Sequence, residues 1–234
     1  MRNIGEVRYM NKRIQKKVKH WSYTTAKTRK RNKALCEKYP FLIPRYYFAN
    51  EIYWTKKKYD NTIAEDFPRG WWKSFGILLC EDLREELIRC NFLKQYRIIQ
   101  LKEKYGMLRI YDNGVPIGCN VEKIIADYEK LSEHICITCG KPDVKMILTG
   151  WMLPQCFDCF KKAELKRSKY NPKEYIKKKF SVDELIEHNY DICTSEEYMM
   201  DNERIVHTSE GEKRYNIADK AEKIRAKWRC KHGM

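Results

Sequence analysis

The sequence predicts an α+β fold, mainly helical, with one β-hairpin and a small module built on four cysteines. Three observations carry this. Apolar residues recur at helical spacing in several long segments. One stretch alternates apolar and polar residues around turn chemistry. Two C-x-x-C pairs stand sixteen residues apart.

Taken in order, residues 8–34 read as a basic helix or arm. Tyr9, Ile14, Val18 and Trp21 recur at helical intervals, with Lys12, Arg13, Lys16, Lys17 and Lys19 on the other faces. A second basic cluster follows, with Lys27, Arg29, Lys30, Arg31 and Lys33. Tyr39 to Pro44 is apolar and bracketed by prolines, which predicts an extended packed segment. Residues 55–69 read as a polar loop. Trp72 to Cys90 reads as an amphipathic helix with Phe75, Leu79, Leu83, Leu87 and Cys90 as its apolar stripe. Glu81, Asp82, Arg84, Glu85, Glu86 and Arg89 fall on its polar face.

Ile99 and Leu101 alternate with Gln100 and Lys102, a turn falls near Tyr105-Gly106, and Leu108 to Tyr111 follows as a second strand. Residues 120–133 predict a helix with Val121, Ile124, Ile125, Tyr128 and Leu131 inward. Between the cysteine pairs, Val144, Met146 and Leu148 alternate with Lys145 and Ile147, as in a small hairpin. Phe160 to Tyr170 continues as a basic helix. Asn171-Pro172 starts another, with proline at the first helical position. Ser181 to Glu184 is a capping box that opens a further helix. A last helix starts near Asn216, with Ile217, Ala221, Ile224 and Trp228 on one side. The organisation expected is a basic N-terminal helical arm (1–40), an α+β core (41–133), the cysteine module with its basic helix (134–170) and a C-terminal helical region (171–234).

The chain has 234 residues, 43% hydrophobic and 13% aromatic, so it can bury a core and is not a disordered tract. No apolar run approaches the roughly 18 residues a membrane span needs. The basic N-terminus has no apolar segment behind it, unlike a secretory signal. The expectation is a soluble protein of the cytoplasm.

The formal net charge of +16 is unevenly placed. Residues 1–40 hold 13 Lys/Arg against 2 acids, and residues 161–180 hold 9 against 2. Residues 181–212 reverse this, with 1 Lys/Arg against 10 acids. Basic blocks suit a polyanionic partner, most often nucleic acid. Solubilising, solvated faces are the plainer alternative. The acidic block reads as a solvated face, or as one that pairs with the basic arm.

Of ten cysteines, Cys36, Cys80, Cys90, Cys119, Cys193 and Cys230 are scattered and read as small buried hydrophobes. Cys136-x-x-Cys139-Gly140 and Cys156-x-x-Cys159 differ. Two residues between thiols let a tight knuckle turn both toward one ion, and Gly140 gives the freedom such a knuckle needs. A second pair after a hairpin completes a tetrahedron, the arrangement zinc prefers. Two disulfides, a redox C-x-x-C and a four-sulfur iron site are the alternatives. Four sulfurs leave no open position, so the expected role is structural zinc in a treble-clef or zinc-ribbon-like module. Its helix carries Lys161, Lys162, Lys166, Arg167 and Lys169, candidates for phosphate contact.

Catalytic signatures are missing from the sequence. A His-Asn-His nuclease needs histidine within the clef, and none lies between Cys136 and Cys159. His134 lies two residues before the knuckle, as a group backing a ligand or a surface residue. There is no P-loop, G-x-G-x-x-G or G-x-S-x-G. The chain therefore reads as a non-enzyme.

The middle of the chain resembles a group of uncharacterised phage and prophage zinc-binding proteins. The matching residues are Leu35 to Arg45, Gly70-Trp71, Phe75-Gly76, Leu101 to Tyr111, Cys136-x-x-Cys139-Gly140, Gly150-Trp151 and Cys156-x-x-Cys159. The similarity covers about residues 35–165. It implies a mobile-element origin and a zinc module, and no activity. Two functions are expected from these readings. One is a phage nucleic-acid-binding protein, with Trp21, Tyr23 and Trp228 among its basic residues. The other is an inhibitor of a host defence system, of anti-CRISPR type, that occupies a nuclease or ribonucleoprotein in the bacterial cytoplasm.

Overall fold

The computed structural model describes residues 25–46, 51–149, 151–170, 181–194 and 217–233. The expected arm over 8–24, with Lys12, Arg13, Lys16 and Lys17, lies outside the described residues, as does the helix expected after Asn171-Pro172. The architecture is α+β, with helices and, among the described residues, two small antiparallel sheets. The chain divides into two compact units, Met1–Thr62 and Ile63–Met234.

In the first unit, helix α1 spans Ala26–Lys38. Thr25 caps it by accepting from the Thr28 N–H at 3.1 Å. Proline at position 40 ends it, and Pro40–Leu42 forms a 3-10 turn. The extended segment expected over 39–44 is thus a tight turn that leaves the helix and becomes extended at Ile43 (φ −70°, ψ 121°). Asp60 ties the following turn together: its carboxylate accepts from the Lys57 N–H at 2.8 Å and pairs with Arg29 at 3.5 Å.

The second unit begins with a 3-10 turn, Ile63–Asp66, where a loop was expected. The long helix that follows is not uniform. Arg69–Trp71 is one α-helical turn, Trp72–Gly76 widens to a π-turn, and helix α2 runs Ile77–Arg89. The Trp72 indole lies where a side chain at Gly76 would sit, its Cδ2 only 2.8 Å from that space. Phe75, Leu79, Leu83 and Leu87 are buried as the stripe predicts.

The polar face is a correction. Asp82 and Glu86, expected to face water, are buried. Asp82 accepts from the Tyr128 hydroxyl at 2.6 Å and pairs with Lys220 at 2.5 Å. Glu86 accepts from Arg89 and from the Asn120 N–H at 2.6 Å. Apart from Arg89, their partners come from chain segments 34 to 138 residues away.

Strands β1 (Ile98–Lys104) and β2 (Met107–Asp112) form the expected hairpin. Its turn is Tyr105-Gly106, both at positive φ (53° and 78°), the geometry that matches strand twist. A register shift at Ile99 lets Ile98 and Leu101 both face the core. Helix α3, Val121–Ser132, packs on β2 and α2 through Val121, Ile124, Ile125 and Tyr128.

A second hairpin, β3 (Met146–Thr149) and β4 (Trp151–Pro154), leads into helix α4, Phe157–Tyr170. The inward residue of β3 is Ile147, not Met146 and Leu148, which are only half-buried. Ile147 packs with Phe160 and with Ile186 of helix α5, Val182–Thr194. Ser181 and Glu184 form the capping box reciprocally, at 2.7 and 3.2 Å. Helix α6, Ile217–His232, buries Ile224 and sends Lys220 to Asp82.

One more correction concerns cysteine. Cys90 and Cys119 are not isolated buried hydrophobes. They are half-buried and joined as a disulfide, with Cα atoms 5.9 Å apart, closing a loop that contains the whole β1–β2 hairpin. Tertiary folding, not spacing, brings them together: Arg89 already donates to the Gly118 carbonyl at 2.8 Å.

Asp82→Ala would take the Asp82 acceptor away from the buried Tyr128 hydroxyl and the Lys220 ammonium. Urea unfolding should show a loss of about 2–4 kcal/mol, while Asp82→Asn, which can still accept from Tyr128, should lose less.

Candidate metal centre

The four cysteines of the two C-x-x-C pairs converge. The sulfur atoms of Cys136, Cys139, Cys156 and Cys159 all lie within 4.8 Å of one another, and this group could hold a metal ion. Cys136 and Cys156 are buried, while Cys139 and Cys159 are half-buried. Val144 packs against the group.

Local backbone chemistry builds the first pair into a knuckle. The Gly140 N–H donates to the Cys136 carbonyl at 2.9 Å, and the Cys136 N–H donates to the Lys141 carbonyl at 2.7 Å. Gly140 sits at φ 87°, which favours glycine. The second pair straddles the start of α4. There the Cys159 and Phe160 N–H groups both donate to the Cys156 carbonyl, at 3.1 and 3.0 Å. The hairpin joins the two, since the Ile137 N–H donates to the Pro154 carbonyl at 2.9 Å. Knuckle, hairpin and helix thus follow in the order expected.

The electrostatics favour charge on one sulfur, that of Cys136. The Cys156 thiol and the N–H groups of Thr138, Cys139 and Cys156 all point at the Cys136 sulfur, which pulls this thiol down to about 4. Donation to Cys136 pushes the Cys156 thiol upward. Burial, with the neighbouring Cys136 charge, pushes Cys159 up to about 12. One thiolate forms readily and makes the next harder to form, so several negative charges here need a cation. Metal binding at this site would release protons.

The residues that hold the knuckle were not singled out as such by their spacing. Gly70 donates its N–H to the Ile137 carbonyl at 2.8 Å. Trp71, fully buried, donates its indole N–H to the Ile135 carbonyl at 2.8 Å. Ser74 donates its hydroxyl to the Gly140 carbonyl at 2.7 Å. Three outward carbonyls of the knuckle are therefore satisfied by one helix start. The contact is close: a side chain at Gly70 would strike the Cys136 carbonyl and lie 2.5 Å from that of Ile137. Local periodicity gives no sign of the role of Gly70-Trp71.

His134 is exposed, and its backbone carbonyl, not its ring, serves the site by accepting from the Val144 N–H at 3.1 Å. Beside it, a cleft of about 210 Å³ is lined by residues including Lys130, Leu131, Pro142 and Arg225. Arg225 closes this side with a two-pronged hydrogen bond to Asp143, at 2.8–2.9 Å, which holds that carboxyl below its usual range.

The basic residues separate into two helices. On α1, Lys27, Lys30 and Arg31 are exposed, while Arg29 pairs with Asp60 and Lys33 with Glu37 at 3.6 Å. On α4, Lys162, Lys166 and Lys169 are exposed at positions that share one helix face. Lys161 instead pairs with Asp183 of α5 at 3.1 Å, and Arg167 with Glu164 at 3.3 Å. The acidic α5 therefore neutralises part of the basic α4.

No protein-family model, curated protein or solved structure matches the chain. In the described residues, no helix is long and apolar enough to cross a membrane.

Trp71→Phe keeps an aromatic ring but removes the indole donor, strands a buried carbonyl and leaves a small void. It should cost about 1–3 kcal/mol in urea unfolding. Gly70→Ala should also weaken metal retention, read as faster metal transfer to a chromogenic chelator. Retention equal to wild type would show that the knuckle does not depend on this contact.

Proposed function

We propose that the protein is a non-catalytic nucleic-acid-binding protein held together by a structural zinc ion in a treble-clef-like module. The observation that carries the reading is the exposed stripe of Lys162, Lys166 and Lys169 on the helix that begins inside the second ligand pair.

Zinc is favoured by the donor set. Zinc–sulfur bonds of about 2.3 Å place the sulfurs of a tetrahedron about 3.8 Å apart. The Cys139 and Cys156 sulfurs are 3.6 Å apart. Four thiolates complete the coordination and leave no place for a bound water, so the ion serves stability. Structural zinc sites of this kind contribute on the order of 10 kcal/mol to folding.

Phosphate contact is favoured by how the charges are sorted. Lys161 and Arg167 are engaged with acids of the protein itself. The three remaining lysines of α4 recur at steps of four and three, so they rise along one face at a spacing that suits a polyanion. Lys27, Lys30 and Arg31 make a comparable patch on α1 of the other unit. Contacts of this type position a nucleic acid without reading its sequence. The basic surface alone carries no specificity, and the reading is of general affinity.

Metal analysis of freshly purified, reduced protein should give about one zinc per chain, and a strong chelator should lower the melting temperature. Less than a few tenths of an equivalent would refute the zinc assignment. Binding to labelled DNA and RNA should weaken steeply as salt rises. Replacing Lys162, Lys166 and Lys169 by Gln should reduce the salt slope by about 2–3. No binding to either nucleic acid at low salt would overturn the function.

A further inference from the structure

We propose that the outer face of the β1–β2 hairpin is a stacking surface for the unpaired bases of single-stranded nucleic acid. The inference rests on the nucleic-acid reading above and names the substrate class.

The hairpin register assigns its two faces. Leu101, Leu108 and Ile110 are buried on one side. On the other, Gln100 pairs with Tyr111, Lys102 with Arg109, and Lys104 with Met107. This outward set joins an aromatic ring to three cations, of which Arg109 is paired with Glu129. Tyr111 is 43% exposed and Tyr105, in the turn, is 61% exposed. The fold leaves much of both rings in water. Each is also accompanied: the Lys102 ammonium lies 5.2 Å from the Tyr111 ring centroid, and the Lys104 ammonium 5.3 Å from that of Tyr105.

Aromatic rings interleaved with lysines are the combination that single strands require. Every base offers a flat face to stack, and the adjoining phosphate meets the cation. A duplex keeps those faces covered by its own stacking, so it gains little from an exposed tyrosine. The spacing permits more than one base. Tyr111 stands four residues along β2 from Met107, about 14 Å at the usual rise of a strand, and the Tyr105 turn lies just beyond Met107.

A stacking platform must also be held still, and the hairpin tip is. The Glu103 carboxylate accepts from the Gly106 N–H at 2.7 Å. Gly106 sits against β3 and β4, so that a side chain there would lie 2.5 Å from the Met146 sulfur and 3.0 Å from the Met152 carbonyl. The turn that presents Tyr105 is therefore seated on the hairpin of the cysteine module. Within the hairpin itself no carboxylate shares the outward face, since Glu103 and Asp112 occupy the other side, and Glu129 of α3 reaches that face at Arg109.

The test uses the full-length, metal-loaded protein and fluorescence anisotropy with labelled oligo-dT and oligo-U of about 12 nucleotides, beside a duplex of equal length. Single strands should bind more tightly than the duplex. Tyr105→Ala and Tyr111→Ala should each weaken single-strand binding about tenfold with the salt slope unchanged. Tyr105→Phe and Tyr111→Phe should bind as wild type, because a phenyl ring still stacks. Both residues are exposed, and unchanged metal content and circular dichroism confirm that the variants fold. Alanine variants that bind like wild type, or a duplex bound as tightly as the single strand, would overturn the stacking face and leave the general nucleic-acid reading standing. Failure of the wild-type protein to bind any of the three probes at low salt would overturn that reading and the stacking face with it.

Discussion

Gly70, Trp71 and Ser74 present an N–H, an indole N–H and a hydroxyl to the carbonyls of Ile137, Ile135 and Gly140. Most of the second unit depends on this seam. A C-x-x-C knuckle turns its N–H groups inward to sulfur, so its carbonyls point outward and need donors. The start of a helix is where donors are in surplus, because its first N–H groups lack partners within the helix. The two needs meet across 64 to 67 residues of chain, with glycine at the point of closest approach. Phe75, Leu79, Leu83 and Leu87 continue from the same helix into the main core. The cysteine module and the core are thereby parts of one structure rather than neighbours.

This seam explains the π-turn at Trp72–Gly76. The turn before it must carry Gly70 and Trp71 against the knuckle, and Ser74 must reach Gly140, while Phe75 and Leu79 stay in the core stripe. A π-turn takes in one extra residue and so changes the phase of a helix between two sets of contacts. The stripe read from the sequence is correct from Phe75 to Leu87 because packing there follows ordinary helical spacing.

What was legible in the sequence is what local spacing decides. The two C-x-x-C pairs, the Tyr105-Gly106 hairpin, the Ser181–Glu184 capping box and the inward faces of α2 and α3 each involve residues only a few positions apart. Misreadings occurred where the deciding partner is remote. Asp82 and Glu86 look like exposed helix-surface acids until Tyr128, Lys220 and Asn120 arrive from elsewhere. Cys90 and Cys119 look solitary until the intervening hairpin folds back. Alternation alone does not say which face of β3 meets the core; Phe160 and Ile186 decide for Ile147. The knuckle's anchors were invisible for the same reason, since a Gly-Trp pair has no periodic signature.

Charge followed the same rule. By composition, residues 161–180 form a basic block and residues 181–212 an acidic one. In space the acidic α5 lies along the basic α4, held by Ile147, Phe160 and Ile186, and Lys161 is drawn to Asp183 and Glu187. Blocks of opposite sign that pack together cancel on the face between them and leave charge only on the faces that point apart. The positive surface of α4 is therefore narrower than its composition suggests, reduced to the line of Lys162, Lys166 and Lys169. Under the proposed nucleic-acid reading, a narrow line would follow the backbone of one strand. That geometry agrees with the two lysine-accompanied tyrosines of the β1–β2 hairpin, whose turn is seated on Met146 of the same module.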